Sequence, residues 1–367
     1  MNTAELQALL ALQYKPGISN AVAKKLLTHF KEPHAVLAAS QKALQELSWV
    51  PQHALNNWKW DKALAAAADQ QALMSVNQVN AVAYYEPDYP RALKHCTDGP
   101  LILFYKGNIP WQQQRWISVV GTRRMTAYGQ HQCRALIREL RPYNPVVVSG
   151  LAFGVDITAH QAALEFGLPT VACLAQGLNE VYPKAHRNIA QQLLEQGGLV
   201  SETWIDSSFH NRFFIRRNRI IAGLSAATIV VESAHKGGSL STAEMAFSYN
   251  REVYAIPGRR SDAQSAGCHG LIERQLAQIY TDLPKLIDNL GWDKQHPQQT
   301  RLEFESLIKL DMQEQAVYKL LPTDQAVHIE KLRANWDASA GNLPALLLSL
   351  ELKGWIRPLP GQLFIRA

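Results

Sequence analysis

Continuous apolar runs recur through the middle of the chain, and each one stops at small, hydroxyl-bearing or basic residues. The runs occupy residues 116–120, 145–148, 169–174, 227–231 and 253–256. They lack the apolar–polar alternation of a half-buried strand, which is typical of strands that are covered on both faces. Stretches with helical character separate them. The pattern therefore predicts an α/β fold in which helices cover a mostly parallel sheet.

Outside this repeat the pattern predicts two smaller modules. Residues 1–77 are rich in Ala, Leu and Gln, and residues 16–27 combine a turn, a cap and an amphipathic helix. This arrangement is similar to a SAM or helix-hairpin-helix domain that touches the DNA backbone, although a plain helical bundle explains it equally well. The sheet domain is expected at 78–291.

A polar stretch at 292–311 is interpreted as a linker, and residues 312–367 as a winged-helix-like domain. In this last domain two short apolar strands follow a helix and flank a Pro-Gly turn. The helix at 342–353 is mostly Leu with a single lysine, whereas a recognition helix needs polar or basic side chains. We therefore expect this domain to contact protein rather than to read DNA.

Composition narrows the class of protein only modestly. The chain has 367 residues, a formal net charge of +6 and a pI near 9.0, which over this length is weak support for a nucleic-acid partner. Its four cysteines lie far apart without a C-x-x-C pair, which indicates a reducing compartment and no structural zinc. The sequence shows no signal peptide, and no apolar run approaches the roughly 18 residues that are needed to span a membrane. We therefore expect a cytoplasmic protein with no membrane contact.

Familiar catalytic motifs are missing from the sequence. There is no P-loop, no G-x-G-x-x-G after a strand, no H-E-x-x-H and no G-x-S-x-G. We therefore expect no catalytic residue, no metal and no cofactor, and a protein that binds rather than reacts.

Positive signals come from the turns that follow the apolar runs. In an open α/β sheet these turns gather at the carboxyl edge, where ligands bind. Free backbone N–H groups and guanidinium groups at that edge suit phosphate oxygens, although ordinary turns also favour Gly, Ser and Thr. The candidate binding residues in these turns are Gly121, Arg123, Ser149, Gly150, Gly154, Lys236, Gly237, Gly238, Ser239 and Arg259.

Residues 213–224 give the sharpest signal. Arg216, Arg217 and Arg219 are expected near the start of a helix, where positive charge opposes the macrodipole unless an anion neutralises it. Phe214 offers a stacking surface for an unpaired base, and Asn218 completes the candidate set.

Two local pairings are also expected. Asp156 and His160 are four residues apart on one helix face and can hydrogen-bond as a structural brace. Glu244 follows Ser241 by three residues, as in a capping box, which is an alternative to the anion-binding interpretation of the same turn.

Seven short motifs then occur in a distinctive order. They are Val120 to Arg123, Ser149 to Asp156 with Ala159-His160, Tyr182-Pro183, Ser201-Glu202, Phe214 to Ile221, Gly238 to Ala243 and Pro257-Gly258. The ordered set resembles the DprA/Smf family, the DNA-processing proteins of natural transformation. The resemblance implies an extended Rossmann-like domain that binds single-stranded DNA through Arg123, Phe214, Arg217, Asn218, Arg219 and the Gly238-Ser239 turn. Phe153, Ile215, Gly237 and His269 depart from the family pattern.

The resemblance also implies partners. It implies a homodimer that protects incoming single-stranded DNA and loads RecA recombinase, with single-strand-binding protein as a further candidate partner. We place self-association on the apolar residues Leu271, Ile272 and Leu276. The alternative is an enzyme similar to nucleoside-monophosphate phosphoribohydrolases, in which Glu244 would act. In a third interpretation the arginines only pair with acidic residues of the chain.

Overall fold

The computed structural model describes residues 1–55, 58–207, 210–292, 310–322, 326–337, 341–359 and 361–366. Contacts divide the chain into two compact units, Met1–Asp293 and Lys294–Ala367. Most of the predicted linker at 292–311 lies outside the described residues. The finer division at residue 77 stays a prediction, because the N-terminal helices share one cluster of buried side chains with the sheet domain.

The first unit begins with a set of helices. The turn predicted after Pro16 is present, with Gly17 at φ +83°, and the Ser19 side chain caps the helix that follows by accepting from the Val22 N–H at 3.3 Å. Leu9 and Leu26 in this set pack in the same cluster as Phe104 of the sheet. The helices are α1 (Thr3–Tyr14), α2 (Asn20–Phe30), α3 (Pro33–Ala38), α4 (Gln41–Gln45), α5 (Gln52–Leu55) and α6 (Asp61–Val76).

A sheet of nine strands forms the centre of the first unit. Its strands are β1 (Asn80–Ala83), β2 (Ile102–Lys106), β3 (Trp116–Val120), β4 (Val146–Ser149), β5 (Thr170–Cys173), β6 (Gly197–Ser201), β7 (Ala227–Val230), β8 (Glu252–Ala255) and β9 (Gln278–Ile279). The order is β1-β2-β6-β5-β4-β3-β7-β8-β9. All neighbours from β6 to β9 pair in parallel, and β2 pairs antiparallel with both β1 and β6.

The five apolar runs are the strands β3, β4, β5, β7 and β8, so the prediction of a mostly parallel α/β sheet is confirmed. Successive residues of each strand enter different cores, since side chains alternate between the faces of a sheet. Val119 and Val147 pack on one face, whereas Val120 and Val148 pack on the other. Burial on both faces is the reason that these strands lack polar alternation.

Helices cover both faces of the sheet. They are α7 (Arg91–Lys94), α8 (Ala127–Leu140), α9 (Val155–Glu165), α10 (Arg187–Gln196), α11 (Arg212–Leu224), α12 (Gly238–Ser248), α13 (Ala266–Glu273) and α14 (Leu283–Leu290), with 3₁₀ turns at Arg141–Tyr143 and Lys184–His186. Helices α8, α9 and α14 contribute buried residues to one core, and α11, α12 and α13 to the other. Within α13, Leu271 is fully buried and Ile272 packs against the same core, as does Leu276, which follows the helix.

The direction of strand addition reverses at β3. The chain adds β4, β5 and β6 on one side of β3 and then crosses over to add β7, β8 and β9 on the other. This is the doubly wound arrangement, in which a crevice opens beyond the carboxyl ends of the strands at the reversal. The fold therefore predicts a ligand-binding crevice at the turns after β3 and β7.

The second unit is smaller and has a core of its own. Its described elements are α15 (Met312–Lys319), β10 (Val327–His328), α16 (Ile329–Ala334), α17 (Leu343–Leu352), β11 (Ile356–Leu359) and β12 (Leu363–Arg366). The strands form an antiparallel sheet in the order β10-β12-β11, which agrees with the predicted winged-helix architecture. Leu343, Leu347 and Leu350 of α17 are buried, whereas Leu348 and Leu352 are exposed.

Across the described parts of both units, no helix combines the length and the apolar character that crossing a membrane requires.

Candidate functional site

A cavity of about 370 Å³ lies where the crevice is expected, beyond the carboxyl ends of β3 and β7. The turn after β3, the start of α9, the exposed side of α11 and the start of α12 all contribute to its wall. The lining residues are Val120, Gly121, Thr122, Arg123, Ala152, Asp156, Phe214, Ile215, Arg217, Asn218, Ile221, Gly237, Gly238, Ser239 and Thr242.

The exposed Arg123 and the half-buried Phe214 form a cationic and aromatic pair at this cavity. The Arg123 guanidinium carbon lies 5.5 Å from the centroid of the Phe214 ring. The ring of Tyr182 meets the ring of Phe214 edge-on, with centroids 6.0 Å apart. Arg123 itself is solvent-exposed. The pair can therefore offer a phosphate-binding charge and an aromatic surface to the same ligand.

Helix α12 presents its first turn to the cavity. The helix begins at Gly238, and Gly237 at its N-cap position provides no side-chain cap. The first backbone N–H groups of a helix have no intrahelical acceptor, and the helix dipole favours an anion beside them. Asn218 fixes this end by donating to the Gly238 carbonyl at 3.3 Å and to Ser241 Oγ at 3.1 Å. Lys236 is exposed just before the turn.

The predicted capping box at Ser241 is wrong. Because α12 begins at Gly238, Ser241 lies inside the helix, where its hydroxyl donates to the Gly238 carbonyl at 2.7 Å. Glu244 pairs with Arg274 instead, at 3.1 Å between the charged atoms, and does not line the cavity. The anion-binding interpretation of this turn stays a prediction.

Arg217 is a buried brace beneath the cavity. Its guanidinium donates to the carbonyl of Gly150 at 2.7 Å and to that of Cys173, which ties together the ends of β4 and β5. Burial lowers the pKa of Arg217, and the neighbouring Asp156 carboxylate opposes that shift. Glycine at position 150 makes room for this guanidinium, because a Cβ there would force the Arg217 side chain to shift. Gly154 adopts φ +79°, a conformation that favours glycine before α9.

Glu202 neutralises the two other arginines of α11. It forms ion pairs with Arg216, at 2.9 Å, and with Arg219, which also donates to the Asp98 carbonyl. Arg219 is only 7% exposed. Since α11 begins at Arg212, these side chains lie beyond the first turn, where the macrodipole is felt most strongly. The argument that they need an external anion is therefore wrong.

Asp156 and His160 do not bond to each other as predicted. His160 Nδ1 pairs with Thr170 Oγ1 at 2.7 Å, and the buried Nε2 has no hydrogen-bond partner among the described residues. Burial lowers the pKa of His160 to about 3. Burial raises the pKa of Asp156, whereas Arg217 and hydrogen bonds from Ala152 and Ser149 oppose that rise.

The structure brings together only part of the predicted set. The members that line the cavity are Gly121, Arg123, Phe214, Arg217, Asn218, Gly237, Gly238 and Ser239. The members outside its wall are Ser149, Gly150, Gly154, Arg216, Arg219, Lys236 and Arg259. Arg259 lines a neighbouring cavity with Tyr128.

Some lining residues escaped the sequence-based selection. Thr122, Ile215 and Thr242 line the cavity, and Thr122 donates its hydroxyl to the Gln264 amide oxygen at 2.9 Å. The only feature of the sequence that could have identified them is their position within or beside the selected motifs. Within the described ranges, no group of three or more His, Cys, Asp or Glu residues is arranged to hold a metal ion.

The predicted self-association surface needs correction at Leu271, whereas the part assigned to the partly buried Ile272 and Leu276 stays a prediction. Leu271 is fully buried in the core between α13 and the sheet, so it is not available to a second copy.

Comparison with known proteins identifies the family of this chain. A family model described as DNA recombination-mediator protein A matches residues 80–291. The chain belongs to this family. A second model, the DprA winged helix domain, matches residues 305–362. Both matches agree with the resemblance inferred from the ordered motifs.

Individual relatives of this DprA/Smf family cover much of the chain. Protein Smf of Escherichia coli (strain K12) is 36% identical over 282 residues, which are 74% of each chain. DNA processing protein DprA of Streptococcus pneumoniae (strain R6) is 40% identical over 185 residues, which are 50% of this chain and 65% of the relative.

Solved structures of DprA proteins share the fold. The X-ray structure of DprA from Streptococcus pneumoniae matches with a TM-score of 0.65 and 29% identity, over 77% of this chain and 97% of that one. A structure of DprA from Helicobacter pylori, whose description concerns a single-stranded DNA binding mode, matches with a TM-score of 0.53 and 29% identity, over 58% and 96% of the two chains.

Proposed function

We propose that this chain binds single-stranded DNA in the cavity beyond β3 and β7. The observation that carries the proposal is that the Arg123–Phe214 pair and the uncapped start of α12 line the same cavity. Backbone N–H groups and Arg123 would hold phosphate oxygens, and Phe214 would stack on a base. The description of the Helicobacter pylori relative as a single-stranded DNA binder supports the same assignment.

The proposed contacts are drawn from the predicted residues that line the cavity or lie beside it. Arg123, Phe214, Asn218 and the segment from Lys236 to Ser239 would touch DNA, and Arg259 would extend the path into the neighbouring cavity. Arg217 would act by holding the ends of β4 and β5. Binding through phosphates and stacking should be strongly salt-dependent and nearly blind to sequence.

We propose a binding role rather than catalysis. The phosphoribohydrolase alternative needs Glu244, which pairs with Arg274 outside the cavity wall. The carboxylate that does line the cavity is Asp156, and it is only 7% exposed and lies beside the buried Arg217. This arrangement favours binding of a ligand rather than its cleavage.

The test is a titration of labelled single-stranded and duplex oligonucleotides at two salt concentrations. Arg123→Gln should weaken single-strand binding about tenfold and lower the salt slope by about one, because it removes one exposed phosphate contact. Phe214→Leu should weaken binding by about 1–3 kcal/mol through lost stacking. Arg187→Gln, at an exposed position of α10, is the matched control.

Binding that is equally strong for duplex, or that Arg123→Gln and Phe214→Leu leave unchanged, would overturn the proposal. Release of a base from a nucleotide monophosphate that Glu244→Gln abolishes would establish the enzymatic alternative instead.

We further propose that the chain acts in natural transformation as a homodimer that protects incoming strands and loads RecA. The family membership supports this role. Single-strand-binding protein would compete for the same single-stranded DNA, so a protein that loads RecA must displace it or bind beside it. Sedimentation should give a dimer at micromolar concentration. In the presence of single-strand-binding protein, the chain should shorten the lag of RecA filament formation on single-stranded DNA. An unchanged lag would contradict RecA loading without touching the DNA-binding proposal.

A further inference from the structure

A second cavity lies at the opposite edge of the sheet. Its volume is about 520 Å³, and its wall includes Trp116 at the start of β3, Ala226 just before β7 and Arg251 just before β8. These are the amino ends of parallel strands, so the cavity and the proposed DNA site face opposite edges. The two cavities share no lining residue.

An ordered aromatic surface forms one part of this second cavity. Trp111 and Trp116 stack with ring centroids 6.0 Å apart and planes only 10° from parallel. The ring of Tyr105 meets Trp111 edge-on at 5.5 Å. Trp116 Nε1 donates to the Gln113 carbonyl at 2.6 Å, which fixes its ring. Trp116 is buried, whereas Trp111 is only partly buried, so Trp111 is the ring that a planar ligand can reach.

Basic groups form another part of the wall. Arg251 donates to the Ala92 carbonyl at 2.8 Å, but its buried Nε has no hydrogen-bond partner among the described residues. Arg251 also lines the cavity, and a guanidinium at a cavity wall can donate its other N–H groups to a ligand oxygen. Arg91 and His95 line the same cavity and are exposed.

The charge of the wall is one-sided. Asp and Glu are absent from the residues that line this cavity in the described part of the chain. Asp88 contacts the wall from outside, where it accepts from the Gln112 amide at 3.0 Å. Gln114 is exposed on the wall and can offer an amide to a polar ring edge.

We propose that this second cavity binds a nucleotide, with the base against Trp111 and the phosphate between Arg91 and Arg251. A planar ring that carries an anion is the ligand that uses both parts of the wall. An uncharged aromatic would leave the guanidinium groups unused, and a bare anion would leave the tryptophan unused. A free mononucleotide and a nucleotide within a single strand share this chemistry.

Titration calorimetry of the full chain with dAMP and with deoxyadenosine tests the proposal. The measurements use Arg123→Gln as the background, so that the first cavity contributes little. Adding Arg91→Gln should weaken dAMP binding about tenfold and leave deoxyadenosine unchanged, because only the phosphate contact is lost. Adding Trp111→Leu should weaken both ligands, because it removes the stacking surface. Arg187→Gln is again the matched control.

Cross-linking identifies the source of the nucleotide. A single strand that contains 5-iodouracil should become attached to the peptide with Trp111 if the nucleotide belongs to DNA, whereas dAMP binding without that cross-link assigns a free mononucleotide. Arg91 is exposed, so its substitution keeps the fold even if Trp111→Leu does not. The proposal is overturned if neither dAMP nor the strand binds there, or if Arg91→Gln leaves dAMP binding unchanged. The outcome is independent of DNA binding at the first cavity.

Discussion

At the scale of the residue, the same side-chain type serves different purposes within one helix. Arg216, Arg217 and Arg219 are close in sequence, but each helical residue is turned by about 100° from the one before. Arg217 therefore points under the cavity, Arg219 is buried against Glu202, and Arg216 stays about half exposed. Exposure, not the identity of the residue, separates a group that braces the site from one that can meet a ligand.

Replacing Arg217 should destabilise the fold. Arg217→Ala leaves the Gly150 and Cys173 carbonyls and the buried Asp156 without their cation, which should cost about 3–5 kcal/mol of unfolding free energy. Arg123→Gln, at an exposed position, should change it by less than about 0.5 kcal/mol. Urea unfolding of both variants measures the difference. Equal stabilities would show that Arg217 is not a brace.

Burial of His160 should make stability depend on pH. Its pKa is about 3 in the folded chain against about 6.5 for an unfolded one, so falling pH protonates the unfolded state first. The stability from the neutral ring is complete above pH 6.5 and is lost progressively as the pH falls toward 3. In urea unfolding, the stability of wild type relative to His160→Gln should drop by about 2 kcal/mol between pH 7 and pH 5. Between pH 7 and pH 8 it should stay constant, and a constant difference down to pH 5 would contradict the assignment.

At the scale of the element, the position at which a helix begins decides what its residues do. Helix α12 begins at Gly238, three residues before the Ser241 that the sequence suggested as a cap, so that Gly238 and Ser239 of its first turn line the cavity. Helix α11 begins at Arg212, before the arginines that the sequence placed at its start. Strand β6 was not identified from the sequence, because Gly197 and Gly198 interrupt its apolar run.

An acidic residue at the start of α12 should have opposite effects on the stability of the fold and on the binding of single-stranded DNA. Gly238→Asp places a carboxylate in the first turn, where it should raise the unfolding free energy by about 0.3–1 kcal/mol. The same charge should repel phosphate and weaken single-strand binding by at least about tenfold. Gly238→Ala is the matched control, since a Cβ there meets no atom within 4 Å. Fluorescence anisotropy measures DNA binding by the two variants, and urea unfolding measures their stability. Normal DNA binding by Gly238→Asp would show that the start of α12 does not contact DNA.

At the scale of the whole molecule, the site belongs to one unit. Every residue that lines the first cavity lies within Met1–Asp293, and the second unit has a separate hydrophobic core around Leu321, Leu347 and Leu350. The family model for the sheet domain likewise ends at residue 291. Folding and single-strand binding should therefore not require the winged-helix unit.

A chain of residues 1–292 should test this independence. We expect it to fold, with a melting temperature within a few degrees of the corresponding transition of the full chain, because among the described residues none beyond Trp292 belongs to a core of the first unit. Its affinity for single-stranded DNA should stay within about twofold, since its phosphate and stacking contacts are intact. Circular dichroism and anisotropy check both expectations. A large loss of affinity in a folded truncated chain would assign DNA contacts to the second unit.

The sequence by itself determined the central strands, the doubly wound class, the winged-helix unit and the family. Those features depend on local patterns, namely apolar runs buried on both faces and short motifs in a fixed order. It also identified the turns after β3 and β7, because carboxyl ends of parallel strands always meet at one edge.

Only the tertiary structure decided which of the selected residues line the first cavity. Glu202 reaches Arg216 and Arg219, and Thr170 reaches His160, through contacts between elements that are separate in sequence. Local pattern carries no information about such partners, so Arg217 and Arg219 looked like ligand groups and Leu271 like a surface residue. The pairing of Arg123 with Phe214 beside the start of α12 likewise exists only once β3, α11 and α12 have packed together.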